Sequence, residues 1–297
     1  MTAQTCSNAT GKPFGVERVC RVWKYPRATF YRRQSTITLK KPKPGKRGPK
    51  TQVSDQQLLA LVREDLANSP FTGEGHRKPY ARLKFRDGVR VGKNRVLRIM
   101  RENNLLSPRR PKKAPRLHDG EIITDAPNSM WGTDGTKVFT LKEGWAWTFA
   151  TVDHFNAECL GQHTCKIGDR FAALEPVSQA VQKEFGHLQE QVARGLQLRH
   201  DRGTQYLSDH FQNQIKFWGI APSFAFIEQP QTNGVVERFF RTMKEQIIFG
   251  RVYQTVDELR TAVDKFVNLY NAEWRIERLG FVSPTEARKN YLTRLAA

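Results

Sequence analysis

Acidic residues are scarce in the first 120 positions, where eight Asp and Glu stand against 29 Lys and Arg. The rest of the chain holds 21 acidic and 20 basic residues, so the net charge of +20 comes wholly from the first part. A solvated basic face is one interpretation. A segregation this complete favours a polyanionic partner instead, because each phosphate that a cation neutralises releases condensed counterions. The charge distribution therefore predicts a nucleic-acid ligand.

Cysteine and long apolar runs are also in short supply. The four cysteines include no Cys-x-x-Cys pair, and Cys159, His163 and Cys165 lie in a stretch typical of a strand, which disfavours a structural zinc site. No apolar run approaches the ~20 residues that cross a membrane. The first six residues lack the pattern of a secretory signal. We expect a soluble, cytoplasmic protein with reduced thiols and no membrane partner.

Two basic, proline-rich stretches interrupt the chain at residues 40–50 and 107–116. Such stretches have little to bury and favour extended linkers. They predict the following organisation: a helix-turn-helix-like segment at 1–39, a linker at 40–53, a small all-α domain at 54–106, a linker at 107–121, an α/β domain at 122–250 and a helical tail at 251–297.

The first segment has the pattern of a helix, a short turn and a basic helix. Apolar residues recur with helical spacing and a Lys-Tyr-Pro break follows them: Val16, Val19, Cys20 and Trp23. The second helix would present Thr29, Arg32 and Arg33 to DNA, as in a helix-turn-helix. The residues before Val16 make a poor first helix, so the motif could be incomplete. An amphipathic hairpin that packs on a partner is the alternative.

The middle domain is predicted to be helical, with Ser54 as the N-cap of its first helix. A short second helix would include Tyr80, and a third would span residues 92–102. The third helix carries Lys93, Arg95 and Arg98 on its polar side, which makes it a second DNA-binding candidate. A solvated charged face is the alternative.

The block after residue 121 changes character. Residues 145–152 and 196–200 are rich in aromatic and branched side chains and predict strands. Residues 170–185 and 209–218 have helical spacing. Strands that alternate with helices predict an α/β layered domain.

Three acidic segments stand out in this block: Trp131-Gly132-Thr133-Asp134, His200-Asp201-Arg202-Gly203 and Asn233-Gly234-Val235-Val236-Glu237. They place one carboxylate in a first strand, one just past a later strand and one in a helix. Thirty-five residues separate Asp201 from Glu237. Each acid alone has an ordinary structural explanation, such as a turn or a solvated helix face, but the ordered set does not.

This set resembles the three acidic motifs of the DDE integrase and transposase superfamily, including the spacing of 35. The surrounding residues are similar to OrfB-type transposases of insertion sequences that encode two overlapping frames. The resemblance implies an RNase H-like α/β catalytic core preceded by small all-α, helix-turn-helix-like DNA-binding domains. It also implies that Asp134, Asp201 and Glu237 are catalytic and hold two Mg²⁺ or Mn²⁺ ions.

Basic residues follow the third acid on the same predicted helix. The resemblance implies that Lys244, two turns beyond Glu237, contacts phosphates next to the scissile bond. Arg241, one turn beyond Glu237, can face the DNA as well, although a solvated charged stripe explains it equally well.

The predicted function is metal-dependent DNA strand cleavage and strand transfer during transposition and integration. The expected partners are double-stranded DNA at the element ends and the target, further copies of the chain in a synaptic complex, and an upstream-frame DNA-binding product. Association with a bacterial nucleoid would follow. The alternatives are a catalytically silent DNA-binding regulator and a nuclease of the RNase H kind.

Overall fold

A computed structural model describes residues 3–38, 52–107, 124–224 and 234–296. Most of both predicted linkers, residues 40–51 and 108–121, lies outside the described residues. The chain divides into two compact units, Met1–Thr51 and Gln52–Ala297. No helix in the described ranges is long and apolar enough to cross a membrane.

The first unit contains the predicted pair of helices, α1 (Val16–Val22) and α2 (Arg27–Thr38). Pro26 precedes α2, where its fixed φ suits the start of a helix. Of the predicted apolar face only Cys20 is buried, whereas Trp23 is 70% exposed. The helices therefore form as predicted, but they bury little apolar surface within this unit.

The second unit begins with the small helical domain: α3 (Asp55–Asn68), α4 (Arg77–Ala81), a π-helical turn (Arg82–Arg86) and α5 (Lys93–Glu102). Ser54 caps α3 as predicted, and the Gln57 side chain completes a capping box. A core of apolar residues holds the helices together: Leu58, Val62, Leu83, Val96, Ile99 and Met100.

A buried ionic triad adds a second constraint to this domain. The Arg82 guanidinium donates to both oxygens of Asp65 and to both oxygens of Glu74, with the shortest contact 2.6 Å. Buried charges need partners of this kind, because an unpaired charge in the interior is strongly destabilising. Arg82 thus ties the turn after α4 to the end of α3.

A five-stranded sheet forms the centre of the remaining residues: β1 (Met130–Thr140), β2 (Gly144–Asp153), β3 (Cys159–Cys165), β4 (Gln197–His200) and β5 (Ala221–Phe224). The spatial order is β3-β2-β1-β4-β5, with β1, β2 and β3 antiparallel and with β4 and β5 parallel to β1. This mixed topology confirms the predicted RNase H-like core.

Helices cover both faces of the sheet. On one face a cluster that includes Trp131 of β1 packs with α6 (Arg170–Phe185), α7 (Thr204–Leu207) and α8 (Asp209–Phe217). On the other face Val138 packs with α9 (Gly234–Met243) and α10 (Val256–Glu273). The chain ends with α11 (Pro284–Ala296).

Thr255 and Glu258 satisfy backbone donors at the start of α10. Thr255 accepts the backbone N–H of Glu258, as a capping box requires. The Glu258 carboxylate, however, accepts from the N–H of Gln254, one residue before the cap, at 2.6 Å. Thr255 is therefore the N-cap of α10, and the Glu258 carboxylate satisfies the donor that precedes the cap.

The helical domain docks on the core through contacts distant in sequence. Gln246 and the backbone of Thr72 exchange two hydrogen bonds of 2.8 and 2.9 Å. Phe281, in the tail between α10 and α11, packs against Tyr80 and Phe85 with ring centroids 5.4 and 5.8 Å away. One structural role of the tail is therefore to join the two domains.

Candidate active site

Asp134 lies near the middle of β1, directly opposite Ala150 of β2. Directly opposed residues of an antiparallel pair share a face, and Ala150 belongs to the cluster that packs with α9 and α10. The carboxylate of Asp134 therefore belongs to the α9 side of the sheet. The Phe149 ring lies so close to the neighbouring Gly135 that a Cβ atom at position 135 would be 2.5 Å from the ring. Glycine follows the acid because the ring occupies the space of a side chain.

Asp201 follows the last residue of β4. The parallel register pairs Gly132 with Arg199, and its continuation by two residues aligns Asp201 with Asp134. An oxygen of the Asp201 carboxylate accepts the N–H of Gly203 at 2.9 Å. Asp201 is exposed, so its remaining acceptor positions can reach a ligand.

Glu237 lies in the first turn of α9. Its neighbours on the buried side of the helix are Val236, Phe239 and Phe240, which anchor α9 to the core, while Glu237 itself is exposed. Partial burial raises the pKa of the Glu237 carboxyl, and the Arg241 guanidinium opposes this shift. The helix therefore holds the third acid at the rim of the sheet.

The electrostatics of Asp134 link the three acids. Burial, together with the negative charges of Asp201 and Glu237, raises the pKa of the Asp134 carboxyl to about 6. The Gly135 N–H, which donates to the carboxylate at 2.8 Å, and the Lys244 ammonium oppose the increase. Asp134 thus lies close enough to the other two acids to feel their charge.

No three His, Cys, Asp or Glu side chains within the described ranges are grouped tightly enough to hold a metal ion. Like-charged carboxylates repel one another when no cation lies between them. The structure brings the acids to one side of the sheet, and their role as metal ligands stays a prediction.

Lys244 is the first residue of a π-helical turn, Lys244–Ile248, which directly continues α9. Its positive charge lowers the pKa of Asp134, which places the ammonium near the acidic site. Arg241 is exposed on the last turn of α9. Both basic residues predicted to contact DNA therefore lie on the helix that carries Glu237.

The other predicted DNA contacts lie outside this site. Arg32 and Arg33 are exposed on α2. On α5, Lys93 pairs with Glu277 at 2.6 Å, while Arg95 and Arg98 each pair with Asp55 at 2.6 Å. These three cations of α5 are therefore engaged within the protein, and their contact with DNA stays a prediction.

Sequence reasoning did not single out the aromatic residues beneath Asp201. The buried His200 ring stacks on Tyr206 with centroids 5.4 Å apart and meets Phe211 edge to face. His200 Nδ1 also lies 2.7 Å from the Asp201 carbonyl oxygen. The sequence His200–Tyr206 could have indicated this packing, because it has one aromatic residue before Asp201 and one after it. These two rings, His200 and Tyr206, stack beneath the loop that carries Asp201.

Comparisons with known proteins agree with this architecture. Two family models described as an integrase core domain match residues 124–230 and 218–284, and a model described as an HTH-like domain matches residues 54–113. The HTH-like match thus falls on the middle domain and not on the first segment.

The chain is similar to the transposase for insertion sequence element IS629 of Shigella sonnei, with 24% identity over 94% of this chain and 93% of the relative. It is also similar to the transposase InsD for insertion element IS2 of Escherichia coli, with 28% identity over 78% of each chain.

Among solved structures, the catalytic core domain of BIV integrase covers 57% of this chain and 99% of its own length, with 18% identity and a TM-score of 0.42. That of HTLV-2 integrase, in complex with magnesium, covers 55% of this chain and 98% of its own length, with 20% identity and a TM-score of 0.40. The chain therefore carries an integrase core domain behind an HTH-like domain, and over most of its length it is similar to transposases of insertion sequences.

Proposed function

We propose that the chain is a DDE polynucleotidyl transferase that nicks one DNA strand at the element end and joins the exposed 3′-hydroxyl to another phosphodiester. The observation that supports this proposal is that three acids from separate elements belong to one side of the sheet. Asp134 comes from β1, Asp201 aligns with it past β4, and Glu237 comes from α9. Strand transfer needs no external energy source, because transesterification exchanges like bonds.

The chemistry of the three side chains fits hard divalent cations. All three offer carboxylate oxygens, the ligands that Mg²⁺ and Mn²⁺ prefer over nitrogen or sulfur. Asp134, Asp201 and Glu237 are the residues that would hold two such ions. When bound, the ions would activate the attacking hydroxyl or water and stabilise the leaving oxygen.

The residues of the chain contribute position and charge. Asp134 is held by a central strand that is paired on both sides. Asp201 is oriented by the N–H of Gly203, and Glu237 by a helix anchored in the core. Lys244 supplies a positive charge beside the acids, where a phosphate next to the scissile bond would lie.

Two partners beyond the acidic site follow from the same proposal. Joining two element ends requires at least two active sites, so we infer a synaptic complex of several copies. An upstream-frame DNA-binding product, fused to this chain, would add end recognition. A silent DNA-binding regulator has no need for three converging acids, and it is the alternative that the following experiment tests.

The experiment replaces each acid by its amide: Asp134→Asn, Asp201→Asn and Glu237→Gln. The substrate is DNA that carries the inverted repeats flanking the gene, with Mg²⁺ or Mn²⁺ present. Each swap keeps the shape and removes the charge, so we expect at least about a hundredfold loss of cleavage. DNA affinity measured by fluorescence anisotropy should stay within about threefold, since the phosphate-binding cations are untouched.

Glu273→Gln on α10 is the matched control, because this exposed carboxylate lies outside the proposed site. It should cleave like the unmodified protein. An amide variant that retains near-normal cleavage would exclude that residue as a ligand, and an unmodified protein without metal-dependent nicking would favour the silent regulator.

A further inference from the structure

The β1–β2 hairpin carries two large aromatic side chains that the core does not use. Phe139 and Trp145 lie directly opposite each other, with ring centroids 5.4 Å apart in an edge-to-face arrangement. They are 51% and 59% exposed. The residues that alternate with Phe139 on β1, Val138 and Thr140, are buried on the other face. The two exposed aromatic side chains therefore lie on one face of the hairpin.

The next cross-strand pair along this face is Lys137 and Trp147. The Lys137 ammonium lies 4.7 Å from the centroid of the Trp147 ring, within the range of a cation–π interaction. Trp147 stacks on the buried Phe149, and Gly168 approaches it so closely that a Cβ would stand 2.4 Å from the ring. The position of Trp147 is therefore fixed. We call Phe139, Trp145, Lys137 and Trp147 the aromatic–lysine stripe.

The stripe projects past the acidic site on the opposite face of the sheet. β4 pairs with β1 only as far as Gly132, whereas β1 continues to Thr140. At about 3.3 Å per residue, the end of the strand lies roughly 20 Å beyond Asp134. The stripe therefore lies on the face of the sheet opposite α9 and α10, where the end of the hairpin leaves its aromatic side chains exposed.

The turn of the hairpin adds positive charge. Lys142 is exposed in the turn. The Lys166 ammonium lies near Gly144, since a Cβ atom at position 144 would be 3.9 Å from its nitrogen. The one acid of the turn, Glu143, accepts the N–H of Val256 at 2.5 Å. Lys137 completes three cations around exposed aromatic rings, which is complementary to a polyanion with planar bases.

We propose that the aromatic–lysine stripe binds unpaired DNA bases, with Trp145 and Phe139 as the stacking platform and the lysines on the flanking phosphates. Single-stranded nucleic acids are bound by this combination of rings and cations, since every base has a face that can stack. A paired duplex keeps its bases stacked inside the helix and would gain only the phosphate contacts. The proposal rests on the proposed function only in taking DNA as the ligand.

The test measures binding of the full chain in EDTA, so that cleavage plays no part and failure of the proposed catalysis leaves the result unaffected. A labelled single-stranded oligonucleotide and the blunt duplex of the same sequence are compared by fluorescence anisotropy. Trp145→Ala should weaken single-strand binding about five- to a hundredfold, the range expected for losing one stacked base. Duplex binding should change less than twofold, and Trp145→Phe should restore most of the single-strand affinity.

A 2-aminopurine placed in the oligonucleotide reports stacking directly. Its fluorescence should be quenched by the unmodified protein and by Trp145→Phe, and much less by Trp145→Ala. Leu292→Ala, which removes an equally exposed apolar side chain from α11, is the control and should change neither signal. Thermal melting checks that each variant is folded.

Three outcomes would overturn the proposal. Trp145→Ala could bind the single strand as tightly as the unmodified protein. It could weaken single-strand and duplex binding equally, which would indicate a general effect. It could also lower the mass measured by light scattering without DNA, which would show that a second copy of the chain covers the stripe.

Discussion

Lys93 and Glu277 form a salt bridge of 2.6 Å although they lie 184 positions apart in the sequence. Glu277 also accepts Arg77 at 2.8 Å. The hydrogen bond from Lys93 lowers the pKa of the Glu277 carboxyl. One acid of the tail thus neutralises two cations of the helical domain, including one that the sequence assigns to DNA.

The first prediction is that Glu277→Gln raises the affinity of the chain for duplex DNA by about two- to fivefold at low salt. The change releases Lys93 and Arg77 for phosphates, and the gain should fade as salt screens exposed charges. A salt series of anisotropy measurements tests this. Glu286→Gln, which releases only Arg275, is the control. Unchanged or weaker binding by Glu277→Gln would mean that these cations do not reach DNA.

The second prediction concerns Lys244, where α9 passes into its π-helical turn. Lys244→Ala should weaken capture of the element end about tenfold, because a charge-assisted phosphate contact is lost. Mn²⁺ affinity should stay within about threefold, since an ammonium cannot ligate the ion. End-binding measurements test the loss of DNA capture, and calorimetric titration tests the unchanged Mn²⁺ affinity. Arg241→Ala is measured in parallel for comparison. Normal end binding by Lys244→Ala would assign this residue to a solvated stripe.

The third prediction is a loss of stability in mild acid caused by His154. Burial lowers the pKa of this imidazole from 6.5 to about 4, helped by the charges of Arg199 and Arg278. The unfolded chain therefore takes up this proton at a higher pH than the folded chain does. The contribution to the free energy of unfolding is complete above pH 6.5 and is lost as the pH falls towards 4, by at most about 3 kcal/mol.

Denaturant unfolding at several pH values measures this loss. His154→Phe should flatten the pH dependence between 6.5 and 4, because it removes the imidazole that titrates. The substitution breaks no side-chain hydrogen bond, since neither nitrogen of His154 has a hydrogen-bond partner in the described part of the chain. His187→Phe, at an exposed position, should leave the dependence intact. An equally steep loss in His154→Phe would assign it to other groups.

The fourth prediction concerns Arg288 of α11, which pairs with two buried carboxylates and one half-buried carboxylate. Its guanidinium contacts Asp153 at 2.9 Å, Glu158 at 2.7 Å and also Glu184. Arg288→Met should lower the free energy of unfolding by about 3–5 kcal/mol, because it leaves buried charge uncompensated. Arg294→Met, at an exposed position of the same helix, should cost under about 0.5 kcal/mol. Similar losses of unfolding free energy in both variants would show that the ion pairs of Arg288 do not stabilise the fold.

The sequence alone determined the local structure around the acidic site. The strand with Asp134, the strand end before Asp201 and the helix with Glu237 all form where the patterns predict them. So does the Ser54 cap. These features depend on neighbours within one or two turns or along one strand, and such short-range preferences are written in consecutive residues.

Only the tertiary structure decided which partner each charged or aromatic side chain meets. The sequence predicts Lys93, Arg95 and Arg98 on the polar side of a helix, yet each forms an ion pair within the protein. The pattern also gave no sign that one face of the β1–β2 hairpin would lack a covering element near its turn and leave Phe139 and Trp145 exposed. Packing between distant segments fixes these partners, since a helix or strand specifies its own faces but not the element that will cover them.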